Sequence, residues 1–191
     1  MALSKGRIFV VSAPSGCGKT SLVRALLKKD GGLAHPASFT TRRPRAGEKD
    51  GRDYHFVSEK EFARRQKSGD FLEWSKPYGK YYATSKKGIL AGISKGKDVI
   101  LSLDVRGAFF IKKKFGTSTL IYVLPPSIGA LRKRLIGRST DKSSEIKKRL
   151  SCAKKDIANL GKYDYAVVND DFAEAVAKLK SIIIAERLRV R

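Results

Sequence analysis

The sequence predicts an α/β fold: a parallel sheet core flanked by helices, with a smaller α+β lobe inserted into it and a helical lid. Three observations carry this expectation. Short apolar runs rich in β-branched residues ("RIFVVSA", "KDVILSLDV", "STLIYVL", "DYAVV") alternate with stretches of helical spacing, the pattern of a parallel sheet covered on both faces. A glycine-rich loop separates the first of these runs from the first helix. From about residue 34 to residue 90 the composition shifts toward Thr, Arg, Tyr and Gly.

Taken in order, "RIFVVSA" is bounded by Gly6 and Pro14 and reads as a buried strand. Leu22, Leu26 and Leu27 then recur at helical spacing from Thr20 to about Lys29, until "DGG" stops the pattern. The segment 34–90 holds strand-like pieces ("ASFTT", "DYHFV", "FLEWS", "KYYAT") and one helical stretch near Glu59 to Lys67. It reads as an inserted lobe with little core of its own, the remaining core being 1–33 and 91–191. After the strand "KDVILSLDV" come a helix near Gly107 to Phe115, the strand "STLIYVL" and a helix starting near Pro126 or Ser127. From Arg132 to Lys155 charge dominates, and the turn-like "GRSTDKSS" suggests a flap, with the lid at about 137–148. A final amphipathic helix from Asp171 to Arg189, capped by Asp170 or Asp171, is expected to anchor through Phe172, Val176, Leu179 and Ile183.

The loop "SAPSGCGKTS" carries the first chemical signal. The strict phosphate-binding pattern has Gly at both ends of a four-residue gap before Gly-Lys-Ser/Thr, and here Ala13 stands at the first. In such a loop successive backbone N–H groups and a helix N-terminus face the anion, a Lys reaches the terminal phosphates, and a hydroxyl ligates Mg²⁺. Lys19 and Thr20 suit the last two roles, and Gly16 and Gly18 lie where backbone must approach oxygen closely. A plain strand-to-helix turn would need neither the lysine nor the hydroxyl.

Beyond the loop the run "SFTTRRPRAGEKDGRDYHF", with "SAPSGCGKTSL" before it and "FLEW", "YYATS" and "LSLDVRGA" after it, resembles the guanylate kinase family along essentially the whole chain. The resemblance implies a P-loop nucleoside monophosphate kinase with an inserted GMP-binding lobe and a lid over ATP. It implies transfer of a phosphoryl group from ATP to GMP, with Mg²⁺ as cofactor and Thr20 as its protein ligand. On the ATP side it implies Ser15, Gly16, Cys17, Gly18, Lys19, Thr20, Ser21, Arg134, Asn169 and Asp170. On the GMP side it implies Ser38, Arg42, Arg45, Tyr54, Glu73, Tyr82, Thr84 and Asp104, with catalytic roles for Lys19, Arg45, Arg138 and Arg149. The residue chemistry agrees with these assignments: paired arginines match phosphate oxygens bidentately. Glu73 offers only acceptors, which suits the adjacent N1–H and 2-amino donors of guanine and not the N1 lone pair of adenine. Arg43 and Glu48 read as loop-shaping residues.

The chain departs from the family at two positions around Asp104: Ser102 stands where an acid is common, and Arg106 where Gln is common. Asp104 itself is kept, and can serve either the Mg²⁺ or the GMP.

Composition narrows the alternatives. Lys and Arg total 41 against 18 Asp and Glu, a net charge of +23 that points to anionic partners. The charge is spread along the chain with no aromatic stacking platform or recognition motif, so no specific nucleic-acid partner is expected. A guanylate-kinase-like scaffold module without turnover is disfavoured by the intact "GKT" and the lid arginines. No apolar run suits a membrane span and the N-terminus does not read as a secretory signal, giving a cytoplasmic expectation. Cys17 and Cys152 have no metal-ligand spacing. The choice between GMP and dGMP, and between monomer and homo-oligomer, is left open by the sequence.

Overall fold

The computed structural model describes residues 6–45, 47–137 and 143–190. Sixteen principal elements follow one another. They are β1 (Ile8–Ser12), α1 (Lys19–Lys29), β2 (Leu33–Ala34), β3 (Ser38–Thr40), β4 (Tyr54–Phe56), α2 (Glu59–Lys67), β5 (Phe71–Ser75), β6 (Tyr82–Ser85), α3 (Lys86–Ser94) and β7 (Asp98–Leu103), then α4 (Val105–Lys114), β8 (Thr119–Leu124), α5 (Ile128–Ile136), α6 (Ser143–Ile157), β9 (Tyr165–Val168) and α7 (Phe172–Leu188). One sheet has the order β2-β7-β1-β8-β9, and its β1–β8, β2–β7 and β8–β9 pairs are parallel. A second has the order β4-β3-β6-β5.

The chain divides into two compact units, Met1–Arg7 with Gly32–Val99, and Ile8–Gly31 with Ile100–Arg191. In the larger unit β1 and β8 have their central residues sealed from solvent, as continuous apolar runs covered on both faces require. Leu22 and Leu26 of α1, Ile111 of α4, Leu131 and Leu135 of α5, and Leu179 and Ile183 of α7 complete this core. Phe172 does not join it. It occupies the first position of α7 and is 44% exposed, so the helix is anchored from Ala175 and Val176 onward. The cap is Asp171, whose Oδ1 accepts the Glu174 N–H at 2.8 Å.

The smaller unit has more of a core than its composition suggests. Phe39, Phe62, Phe71 and Ala83 form a buried cluster, with Val57 and Tyr81 against it. The helix α3, not foreseen from the sequence, starts at Ser85, whose Oγ accepts the Gly88 N–H at 3.2 Å. Its glycines serve close packing. A Cβ on Gly88 would lie 2.7 Å from Pro36 Cβ, and one on Gly92 2.7 Å from Val99 Cγ2.

Candidate active site

In the larger unit the site is built where β1 ends. Ser12 is fully buried, and the chain then turns through 13–18 into α1. Gly16 (φ 101°) and Gly18 (φ 83°) hold the loop in left-handed backbone that side-chain-bearing residues rarely adopt. Space is also short: a Cβ on Gly18 would sit 2.7 Å from Asn169 Nδ2, and one on Gly16 2.9 Å from Leu131 Cδ1. Asn169, on the far side of the sequence, donates from Nδ2 to the Cys17 carbonyl at 2.8 Å and so fixes the loop from outside. Gly18 caps α1 with no side-chain hydrogen bond, and the helix has no acid in its first turn. Its N-terminal end therefore presents a positive dipole end that no carboxylate of its own offsets.

Around that end the strand termini gather polar groups. Lys19 donates from Nζ to the Leu103 carbonyl at 2.6 Å, at the C-terminal end of β7, the side of a parallel sheet where ligands sit in open α/β folds. Asp104 caps α4, its Oδ1 accepting the Gly107 N–H at 2.8 Å, and Ser12 Oγ donates to the Asp104 carbonyl at 3.4 Å. Thr20 is half-buried in the first turn of α1, and Ser21 beside it is exposed. Thr20 and Asp104 are hard oxygen donors of the kind Mg²⁺ takes. Among the described residues there is no group of three or more His, Cys, Asp or Glu side chains that could hold a metal ion. Ser102 has a buried Oγ without a hydrogen-bond partner among the described residues.

Two cations approach the loop from the helical segment after β8. Arg149 of α6 donates from Nη1 to Ser15 Oγ at 3.0 Å, and Arg134 of α5 donates from Nη2 to the Asn169 carbonyl at 2.9 Å. Asp170 is exposed. Arg138 lies outside the described residues, as does the 138–142 part of the expected lid. One neighbour escaped the sequence reading. Asp156 follows Arg149 by seven residues and so shares its stripe of α6. Burial and the charge of Asp104 push its carboxyl up, opposed by the charge of Lys19. Tyr163 joins the group: burial pushes its phenol up to about 12, with Asp156 and Asp104 adding to the shift and the Ser12 hydroxyl opposing it. The i, i+7 spacing from Arg149 was the available signal for Asp156.

In the smaller unit the sheet register sorts the side chains. Tyr54 pairs with Ser38 in the parallel β3–β4 ladder, Phe39 with Ala83 in the antiparallel β3–β6 ladder, and Glu73 with Thr84 across β5–β6. Paired residues share a face, so Tyr54, Ser38, Thr84 and Glu73 form a row across four strands, with Tyr82 two residues along β6 on the same side. Phe39 and Ala83 point the other way, into the cluster with Phe62. Phe71 would by alternation share the face of Glu73, but the register shifts between them, and this irregularity lets Phe71 enter the core while Glu73 stays in the polar row. Ser38, Glu73 and Thr84 are all buried, and Thr84 Oγ1 donates to Glu73 Oε1 at 2.5 Å.

Arg42 lies beside this row. It donates from Nε to Tyr82 Oη at 3.2 Å, and its guanidinium stands 5.3 Å from the Tyr54 ring centre. The Tyr54 and Tyr82 rings meet edge to face at 6.0 Å. Arg45 is exposed, and its backbone N–H donates to Glu48 Oε2 at 2.7 Å. Glu48, read from sequence as only shaping the loop, pairs with Arg42 through both carboxylate oxygens, at 2.9 and 3.0 Å.

A parallel sheet whose first strand runs through a glycine loop into a lysine-bearing helix defines the phosphate-loop nucleotide-binding class of α/β proteins. The guanylate kinase family model matches residues 5–186. The guanylate kinase of Caldanaerobacter subterraneus subsp. tengcongensis is 44% identical over all of this chain and 93% of its own length. That of Thiobacillus denitrificans is 46% identical over 98% of this chain and 90% of its own. The crystal structure of guanylate kinase from Anaplasma phagocytophilum superposes with a TM-score of 0.83 at 30% identity, covering 98% of this chain and 89% of that one. The chain belongs to the guanylate kinase family.

Proposed function

We propose that this protein transfers the γ-phosphoryl group of ATP to GMP, giving ADP and GDP, and that Thr20 is the residue that would hold the Mg²⁺ accompanying ATP. A GMP phosphate oxygen bonds to the γ-phosphorus as the bond from that phosphorus to the β–γ bridging oxygen breaks, and ADP leaves. Such a transfer needs positioned cations more than covalent help. Gly16 to Thr20 hold the ATP phosphates through backbone N–H groups, and Lys19 carries its charge to them. Arg149, and Arg138 in the lid, neutralise charge on the moving phosphoryl. Arg134, Asn169 and Asp170 border the adenosine. When bound, Mg²⁺ would supply charge neutralisation at the phosphates, and Asp104 is the carboxylate that would serve either that ion or the GMP.

The observation that carries the reading is the polar row of the smaller unit. Glu73, Thr84 and Ser38 form an acceptor-rich end suited to guanine, and Tyr54, Tyr82 and Arg42 form a donor-rich end suited to the phosphate of the same nucleotide. Glu73 accepts both guanine N1–H and the 2-amino group, whereas adenine would bring a lone pair against a buried carboxylate and leave it unpaired.

An ADP-release assay with GMP, AMP, CMP, UMP and dTMP as acceptors tests this directly. GMP is expected to give the highest kcat/KM by orders of magnitude. AMP or UMP exceeding GMP would overturn the base assignment, and no ADP release with any of the five would overturn the kinase reading.

A further inference from the structure

Two acids of the larger unit stand near the phosphate loop, and one of them is already committed: Asp104 Oδ1 accepts the Gly107 N–H and caps α4. Asp156 is not. It lies half-buried near the end of α6, and its carboxylate makes no hydrogen bond among the described residues. A carboxylate partly withdrawn from water and held by no N–H group depends on a nearby cation to keep its charge. That cation is Lys19, whose charge favours the ionised form of Asp156 against burial and against the charge of Asp104. Tyr163 borders the same group: its phenol is subject to the charges of Asp156 and Asp104, and its ring packs edge to face on Tyr122 at 4.8 Å and against Phe109 at 5.6 Å. Rings on that side lower the local dielectric, so charges here act on each other more strongly than on an open surface.

We propose that Asp156 is a positioning residue for the phosphoryl transfer: from α6 its carboxylate steers the Lys19 ammonium, so that one helix sets both the lysine of the phosphate loop and Arg149. The inference rests on the kinase reading of this protein. Three physical reasons support it. Arg149 and Asp156 are seven residues apart on one stripe of α6, about 10 Å by helix rise, and Arg149 donates to Ser15 Oγ at 3.0 Å, so this stripe lies against the loop. Lys19 Nζ donates to the Leu103 carbonyl at 2.6 Å, which puts the ammonium at the C-terminal end of β7, beside the acids. A lysine is a point charge on a flexible stem with no preferred plane, so a fixed neighbouring charge gives it direction. Asp156 also offsets a crowd of positive groups: Lys19, Arg134, Arg149 and the N-terminal end of α1 would otherwise repel one another in a site meant to be ready before ATP arrives.

A carboxylate that merely lay near the phosphates would act with the opposite sign: it would repel them, and removing its charge would tighten ATP binding and leave kcat unchanged. The test uses Asp156→Asn and Asp156→Glu in the full chain, with steady-state kinetics and with calorimetric titration of a non-hydrolysable ATP analogue. Asp156→Asn, which keeps the shape and removes the charge, is expected to lower kcat about tenfold or more while the KM for GMP stays unchanged. Asp156→Glu should recover most of that loss. The titrations are repeated with Asp156→Asn in a Lys19→Ala background, where no turnover is needed. The effect of Asp156→Asn on analogue affinity should differ by at least about threefold between the two backgrounds, beyond the roughly twofold scatter of independent sites. Asp156→Glu takes the place of the Asn variant in this cycle if the latter is too unstable to purify. An unchanged kcat in Asp156→Asn, a fall in kcat matched by a rise in the KM for GMP, or the same change in affinity with and without Lys19 would each overturn the inference while leaving the protein a kinase. A wild-type protein that releases no ADP with any acceptor would instead overturn the kinase reading.

Discussion

At the scale of single residues, the phosphate loop depends on what is absent from Gly18. Its φ of 83° disfavours any L side chain by about 1–2 kcal/mol, and a Cβ there meets Asn169 Nδ2 at 2.7 Å. The two penalties act in different ways: the first strains the loop itself, the second pushes away the amide that pins Cys17 O. Gly18→Ala should therefore raise the KM for ATP at least tenfold with little change in the KM for GMP, because the altered atoms all lie in the larger unit. Kinetics at varied ATP and fixed GMP check this, and equal rises in both constants would count against a local effect. Ala13, where the strict pattern has glycine, shows that the loop's glycines are not interchangeable. The two that matter most carry positive φ.

At the scale of elements, the polar row of the smaller unit is held by a core of few side chains. Phe62 of α2 is 1% exposed and its ring lies 4.8 Å from Phe71 and 4.9 Å from Tyr81. Phe62→Ala should cost about 3–5 kcal/mol, a large part of the roughly 5–15 kcal/mol that stabilises a typical domain. Urea unfolding should show the loss, and GMP binding should suffer more than binding of an ATP analogue, since Phe62 backs the sheet that carries Glu73 and Thr84. An unchanged midpoint would mean that this cluster does not support the unit. The helix α2 was legible from the sequence because its signals are local: Ser58 caps it, its Oγ accepting the Glu61 N–H at 3.1 Å, and Phe62 marks the inner face. Glu61 reinforces the helix, its carboxyl drawn to about 2 by Arg64 and then Arg65. The helix α3 was not legible, because Gly88 and Gly92 each disfavour helix by about 1 kcal/mol and their purpose, close approach to Pro36 and Val99, is tertiary. The same division holds for the site. The loop glycines and Lys19 were legible because their motif is contiguous, whereas the residues from Ser38 to Thr84 were named through separate short segments that resemble the family. Asp156 and the Arg42–Glu48 pairing could not, since sequence states which charges are present and not which donors are already taken. Phe172 was misplaced for a related reason: a helix's periodicity continues into its first turn, where nothing covers the side chain.

At the scale of the molecule, the net charge of +23 has a partly structural account. Lysines and arginines occupy the last turns of α1 (Lys28, Lys29), α4 (Lys112 to Lys114), α5 (Lys133, Arg134) and α6 (Lys154, Lys155), where each meets the negative end of a helix dipole. Cations distributed by helix ends do not make one recognition surface, and among the described residues no helix is long and apolar enough to cross a membrane. Such a surface should attract polyanions without reading them. Two single-stranded DNA oligomers of unrelated sequence are therefore expected to bind with similar weak affinity, followed by fluorescence anisotropy. If about four phosphates are contacted, raising salt from about 50 to about 200 mM should weaken both roughly fiftyfold, from a slope of about −0.7 per phosphate. A preference of about a thousandfold or more for one sequence would instead reveal a specific site. Because ATP and GMP are themselves anions, the same rise in salt should slow their capture, so kcat/KM for GMP should fall while kcat holds. A kcat/KM indifferent to salt would separate the diffuse charge from the catalytic cations, leaving the helix ends as its whole explanation.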